Sequence, residues 1–139
     1  MDNQNNTAVA FNNTTPFNLA DFEASDTAWL ELENKKGDGP LLLNGQPVCV
    51  EIRSPGTKEA SSAQHKLETA ATTRTYAAMR GKASKETVES KRAERVEKLL
   101  AVTVRFENFP ALPQEVFSNP KLGYITDQVA AFHSDWANF

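Results

Sequence analysis

The chain has 139 residues, which is enough for one domain of ordinary size, and its 40% hydrophobic and 24% charged residues are typical of a globular protein. A net charge of −3 predicts no general attraction to nucleic acid or to anionic membranes. The single cysteine, Cys49, excludes a disulfide framework within one chain, and no apolar run approaches the ~20 residues that a membrane span needs. These features together favour a protein that works in a reducing cytoplasm.

The N-terminal residues 1–22 are rich in Asn and Thr and have no helical or strand periodicity. They predict a flexible arm, followed by a single α+β domain over residues 23–139. Phe11 and Phe17 stand out in the arm. They are either incidental or anchors that become ordered on a partner, and we favour the incidental reading.

Two strands are predicted between Asp26 and Arg53. Residues 26–33 alternate apolar and polar side chains, and residues 47–53 do the same after the Asn44–Gly45 turn. The two segments should form an antiparallel β-hairpin, with Leu41–Leu43 as a short third piece. Because a lone hairpin is only marginally stable, it should pack on about three helices.

The first two helices are predicted at residues 58–80 and 84–108. Thr57 is a cap candidate for the first helix, and Gly81 ends it. Ser84 is the N-cap candidate for the second helix, and Pro110 ends it. The second helix should be roughly 35–40 Å long and amphipathic. Its apolar stripe, at spacings of three, four and seven or eight, consists of Val88, Val96, Leu99, Leu100, Thr103 and Phe106.

The C-terminal third predicts a single helical turn at residues 114–117 and an amphipathic helix near residues 120–137. This last helix should pack across the second half of the central one. The side chains expected in the core are Leu99, Leu100, Val104 or Thr103, Ile125, Val129 and Phe132.

The residues that could carry chemistry form no recognisable site. His65 and His133 have no Cys or carboxylate at metal-ligand spacing, which favours surface or capping roles. The sequence contains no nucleotide-binding loop, nucleophile elbow or calcium loop. It therefore predicts no enzyme, no cofactor and no metal site. The basic stretch of residues 74–98 carries about +4, and it favours a solvated helix face with pairs such as Glu94–Lys98 over a nucleic-acid patch.

Four segments, taken together, resemble the tail assembly chaperones of long-tailed bacteriophages and prophages. They are residues 27–34 (TAWLELEN), 44–57 (NGQPVCVEIRSPGT), 98–109 (KLLAVTVRFENF) and 120–139 (PKLGYITDQVAAFHSDWANF). Their order and spacing agree with the family over about residues 26–139. The Asp-x-Ala-Asn-Phe ending after Gln128-Val129 is the most specific part. The Ala/Thr-rich helix and the N-terminal arm depart from the family pattern, which leaves the role of the arm open.

The resemblance implies a non-catalytic assembly factor in the host cytoplasm that is absent from the mature virion. It implies binding of the tape-measure protein and of tail-tube subunits. The net charge and the lack of a long apolar run predict no nucleic-acid or membrane partner. Self-association stays open. A chaperone of this kind must expose apolar surface to its partner rather than bury that surface in its own core. The candidate partner-binding residues are Trp29, Phe109, Phe117, Trp136 and Phe139, although several of these aromatic side chains would equally suit a core.

Two other functions compete with this one. The same α+β domain could be a permanent virion subunit, such as a tail-completion or head–tail connector component. A small nucleic-acid-binding regulator that uses residues 74–98 is the third hypothesis, but the chain lacks the net positive charge for it.

Overall fold

The computed structural model describes residues 16–81 and 88–139, and its fold is α+β. A three-stranded antiparallel sheet in the order β1-β4-β5 is covered on one face by helices, and a second, two-stranded sheet pairs β2 with β3. The elements in chain order are β1 (Thr27–Glu31), β2 (Leu42–Leu43), β3 (Gln46–Pro47), β4 (Cys49–Arg53), α1 (Lys58–Met79), α2 (Val88–Val102), β5 (Thr103–Glu107), α3 (Pro113–Phe117) and α4 (Gly123–Ser134).

The predicted hairpin is confirmed. β1 pairs antiparallel with β4 along its whole length, with Thr27 opposite Arg53 and Glu31 opposite Cys49. Side chains on alternate positions face the helices, and Val50 and Ile52 on β4 are fully buried there. The alternation in the sequence was therefore a reliable signal for this pair of strands.

The short piece at Leu41–Leu43 is not the third strand of this sheet. Leu42–Leu43 pairs instead with Gln46–Pro47 in a small hairpin of its own. Its turn is Asn44–Gly45, with φ of 53° and 77°, a conformation that these two residue types tolerate best.

The third strand comes from the predicted central helix. That helix ends at Val102, and Thr103–Glu107 continues as a strand paired with β4. The register shifts between Glu51 and Ile52, so Thr103 lies opposite Ile52 while Phe106 lies opposite Val50. The prediction of a helix over residues 84–108 is thus wrong at its C-terminal end, and its predicted start at Ser84 lies outside the described residues.

This β-bulge explains the error. In a regular strand, two residues three positions apart point to opposite faces, but one extra residue in the strand restores them to the same face. Thr103 and Phe106 therefore both face the core side at a spacing of three, which mimics a helical period. The β-branched residues Val102, Thr103 and Val104 and the otherwise unpaired edge of β4 favour the strand.

The core lies between the sheet and α2, α3 and α4. Leu99, Thr103, Ile125 and Val129 are buried as predicted, whereas Leu100, Val104 and Phe132 are only partly buried. The predicted turn at residues 114–117 is confirmed as α3. The last helix is regular only from Gly123 to Ser134, and it is flanked by 3-10 turns at Pro120–Leu122 and Trp136–Asn138.

The long helix α1 is confirmed, but it is attached to the domain mainly through α2. Ala60 is its one buried residue, close to the N-cap where the Thr57 hydroxyl accepts a hydrogen bond from the Ala60 N–H at 3.3 Å. Further along, Arg74 Nη1 pairs with Glu94 of α2 at 2.7 Å. Lys98 donates to Gln64 of α1 at 3.1 Å, so Glu94 and Lys98 make their contacts across the helix pair rather than with each other.

Two side-chain amides hold the segments together. Asn108, at φ 62°, donates from Nδ2 to the carbonyl oxygens of Leu43 and Gln46 at 3.2 and 2.9 Å, which attaches the small hairpin to the end of β5. Gln128 of α4 accepts from the Glu33 N–H at 2.7 Å and donates to the Glu33 carbonyl at 3.0 Å. Neither contact was predicted from the sequence.

Candidate partner-binding surface

The five aromatic residues predicted as partner contacts lie in three separate places. Trp29 is on the outer face of the sheet, away from the helices. Trp136 and Phe139 lie at the C-terminal end of the chain, and Phe109 and Phe117 belong to an aromatic cluster against the core. These five residues therefore do not form one continuous surface.

Phe117 is in the core, and the prediction of a partner contact there is corrected. Its side chain is 3% exposed, and its ring centroid lies 6.1 Å from that of Phe106. Phe109 is partly buried and lies 5.7 Å from the same Phe106 ring. Because these rings pack on one another beside α3, Phe117 has no surface to offer a partner and Phe109 has little.

The C-terminal aromatic residues differ from each other in exposure. Trp136 is 58% exposed, and its indole lies so close to Gly56 that a Cβ atom there would be 3.2 Å from Trp136 Cη2. Phe139 is partly buried and packs edge-on against Phe132 at 5.5 Å. Its carbonyl oxygen accepts a hydrogen bond from the Ser25 N–H at 2.7 Å. Trp136 is thus open to a partner, while Phe139 mainly ties the C-terminus to the start of β1.

Trp29 belongs to a row of side chains that crosses all three strands of the outer face. The Arg105 guanidinium lies 5.3 Å from the centre of its ring, within the range of a cation–π contact. Arg105 also reaches Glu51 at 3.6 Å, and Glu51 accepts a hydrogen bond from the Thr27 hydroxyl at 2.9 Å. Trp29 remains 42% exposed, so its ring is accessible on the outer face of the edge strand β1.

A groove between α2 and α3 was not predicted. Its volume is about 450 Å³. Apolar side chains of α2 contribute Ala93, Val96 and Leu100 to its lining, and the polar lining residues are Glu89, Arg92, Glu97, Gln114 and Ser118. The signal was present in the sequence, because these three apolar residues recur at helical spacing. Val96 and Leu100 were assigned to the buried stripe of the helix, whereas both are partly exposed, and Ala93 was not included in that stripe.

A second apolar feature lies on the described end of the N-terminal arm. Phe17 and Phe22 stack with ring centroids 5.8 Å apart around a 3-10 turn that begins after Asn18. Phe17, Leu19 and Phe22 are all strongly exposed. Of these three residues, only Phe17 stood out in the sequence. Leu19 and Phe22 were missed because three scattered apolar residues in an Asn-rich stretch give no periodicity. Phe11 lies outside the described residues.

His133 is a buried structural residue, which corrects the expectation of a surface or capping histidine. Its Nδ1 lies 2.8 Å from the Arg53 carbonyl oxygen, and because a carbonyl only accepts, Nδ1 donates. Burial lowers the pKa of His133, the Arg53 carbonyl opposes that change, and Lys98 adds to it. The neutral ring thus joins α4 to the end of β4. Within residues 16–81 and 88–139, His, Cys, Asp and Glu form no group of three that could hold a metal ion.

Comparisons with protein-family models, with characterised proteins and with solved structures find no match to this chain. Among the described helices, none is both long enough and apolar enough to cross a membrane.

Proposed function

We propose that this protein is a non-catalytic tail assembly chaperone of a long-tailed phage or prophage. It binds the tape-measure protein, and also tail-tube subunits, in the host cytoplasm, and it leaves before the virion is complete. The observation that carries the proposal is the ordered resemblance of four segments to that family. The fold agrees with treating these segments as one unit, because Gln128 in the last segment bonds to Glu33 in the first. Asn108 in the third segment bonds to Gln46 in the second in the same way.

The groove between α2 and α3 supports a role in binding an amphipathic helix. A rod-like tape-measure protein carries apolar stripes that would aggregate if left bare, and such a stripe fits a groove with apolar lining and charged edges. Glu89 and Glu97 carry negative charge beside this groove, and Arg92 carries positive charge. These mixed charges suit a helix whose polar face also carries both signs.

Co-expression tests the proposal directly. A tape-measure fragment that is insoluble alone should stay in solution and co-purify with this protein. Ala93→Glu places a charge in the groove at an exposed helix position and should abolish the rescue. Ala71→Glu makes the same change at an exposed position of α1, and rescue should persist. Equal rescue by both variants would exclude the groove as the binding site.

Binding should depend on apolar contact more than on charge. Raising the salt from about 0.1 to 0.5 M shortens the Debye length from ~10 Å to less than half of that, which screens exposed ion pairs. The co-purified complex should survive this change. Trp136→Ala, which removes an exposed aromatic ring from the C-terminal end, would weaken the complex if that end is also part of the contact.

The competing function is a permanent structural subunit of the tail. Mass spectrometry of purified particles separates the two, because a chaperone should be absent from them. Stoichiometric presence in mature particles, together with no effect on tape-measure solubility, would replace the chaperone by a tail-completion or head–tail connector subunit.

A further inference from the structure

Among residues 16–81 and 88–139, strand β1 is an edge of the three-stranded sheet and pairs only with β4. The Leu32 N–H bonds to the Val48 carbonyl at 3.0 Å, and the Ser54 N–H bonds to the Asp26 carbonyl at 2.8 Å. Because backbone groups on a strand alternate in direction, residues 26, 28, 30 and 32 point toward β4. The N–H and C=O groups of Trp29 and Glu31 therefore point away from the sheet, and no described residue forms a hydrogen bond with them.

The two ends of this edge are already occupied. Gln128 satisfies both backbone groups of Glu33, and the Ser25 hydroxyl lies 3.0 Å from the Thr27 carbonyl oxygen. Between these ends, β1 has no proline, no lysine and no bulge, and Glu31 is its one charged residue, so few of the usual features that keep an edge strand from pairing are present. The opening is one short segment that contains the outward-pointing backbone groups of Trp29 and Glu31.

We propose that β1 pairs antiparallel with β1 of a second copy of this chain, across a two-fold axis at Trp29. The pairing joins the two three-stranded sheets into one continuous sheet. It is an isologous contact, in which each copy uses the same strand. The inference does not depend on the proposed chaperone function.

Self-complementarity argues for a second copy in this register. With Trp29 opposite Trp29, Thr27 lies opposite Glu31 twice, and Ala28 lies opposite Leu30 twice on the core side. The only identical residues that face each other in this register are the two Trp29 residues, whose rings can contact one another. No charged residue faces a residue of the same charge. A shift of the axis to Glu31 would bring two carboxylates together. A shift to Thr27 would separate the two Trp29 rings.

The partial exposure of side chains along β1 also agrees with pairing to a second copy of the chain. Ala28 and Leu30 face the core side of the sheet but remain partly exposed, and Trp29 is exposed on the other side. Both faces of the edge therefore still have apolar surface to bury. The row formed by Arg105, Glu51 and Thr27 limits the directions open to the Trp29 ring, which reduces the entropy lost on pairing.

The test is a charge swap at the axis, with molar mass measured by light scattering or sedimentation over a range of concentrations. The wild type should dimerise. Trp29→Lys and Trp29→Glu should each be monomeric, because each puts two like charges side by side. An equimolar mixture of the two variants should regain the dimer. Ala71→Lys and Ala71→Glu, on exposed α1, are the matched controls and should dimerise like the wild type.

A second variant tests whether the dimer depends on backbone hydrogen bonds from the edge of β1. Glu31→Pro removes an N–H that points away from β4, so it should abolish the dimer while circular dichroism and the melting temperature stay close to those of the wild type. A wild type that is monomeric at its highest soluble concentration would overturn the proposal. A dimer that survives both Trp29 variants would also overturn it, and failure of the mixture to pair would overturn the Trp29-centred register.

Discussion

At the scale of single residues, Asn108 has a structural role that was not predicted from the sequence. It combines a left-handed backbone conformation with three hydrogen bonds from its side-chain amide to carbonyl oxygens of the small hairpin. Asn44 also has positive φ, at 53°, but no side-chain hydrogen bond of its own, which makes it a matched reference. Asn108→Ala should therefore lower the free energy of unfolding by about 1–2 kcal/mol more than Asn44→Ala does. Urea unfolding of both variants measures the difference, and equal losses would show that the amide bonds contribute nothing.

Leu99 tests the core. It is 3% exposed and packs between the sheet and the helices. Leu99→Ala should cost about 2–5 kcal/mol of unfolding free energy, because it removes buried methyl groups and leaves a cavity. Leu112 is strongly exposed, so Leu112→Ala is the control and should change the free energy of unfolding little. A loss under ~0.5 kcal/mol for Leu99→Ala would mean that α2 is misplaced.

His133 should make stability depend on pH in the acid range. Its pKa in the folded protein is lowered, chiefly by burial, so the unfolded chain binds the proton more readily than the native one. The stabilisation is therefore full above the unfolded value of about 6.5, and it is lost as the pH falls through the lowered folded pKa. His133→Asn keeps a donor near the Nδ1 position and should flatten this dependence. Ala71→Asn, at an exposed position that carries no titratable group, should leave it unchanged.

At the scale of elements, the sequence predicted those with strong local signals. The β1–β4 hairpin followed from alternation, α1 from its caps at Thr57 and Gly81, and α3 from a short segment between proline and asparagine. The strand β5 could not be predicted in this way. Its bulge gives Thr103 and Phe106 a helical spacing, and its pairing partner β4 is about fifty residues earlier in the chain. Local periodicity carries no information about such a partner.

The weak attachment of α1 leads to a prediction about hydrogen exchange. Beyond Ala60, this helix has no other fully buried residue and is held to α2 by polar contacts such as Arg74–Glu94. Amides near residues 70–79 should exchange much faster than those of β4, because local opening there exposes little apolar surface. Exchange measured by mass spectrometry, with α4 as an internal reference, checks this. Protection equal to that of β4 would imply a contact that covers α1.

At the scale of the whole molecule, the N-terminal arm should not contribute to stability. Its described part, residues 16–22, is exposed throughout, including the stacked Phe17 and Phe22 rings. Deleting residues 1–20 should leave the melting temperature nearly unchanged. Deleting residues 136–139 is the control and should lower it, because that segment packs Phe139 on Phe132 and bonds to Ser25. A large fall on deleting the arm would place the arm in the core.

The candidate surface was predictable only in part. In a small chain, an aromatic residue can belong either to the core or to a partner-binding surface, and the sequence did not distinguish the two. Trp29 and Trp136 are exposed, Phe117 is buried, and the groove beside α2 was hidden in a stripe that looked like core. Exposure depends on which neighbours cover a side chain, and those neighbours come from distant segments.

Short-range patterns in the sequence were enough to predict the α+β class, the hairpin, the turn at Asn44–Gly45 and part of the core, because each depends on local periodicity or on backbone preferences of single residues. Three features became clear only from the folded structure: Thr103–Glu107 is the third strand, Phe117 is buried, and no other described strand pairs with the outer edge of β1. These features arise from pairing and packing between residues far apart in the chain. A short apolar segment fits a helix or a strand about equally well on its own. For Thr103–Glu107, pairing with the side of β4 that β1 leaves unpaired favours the strand.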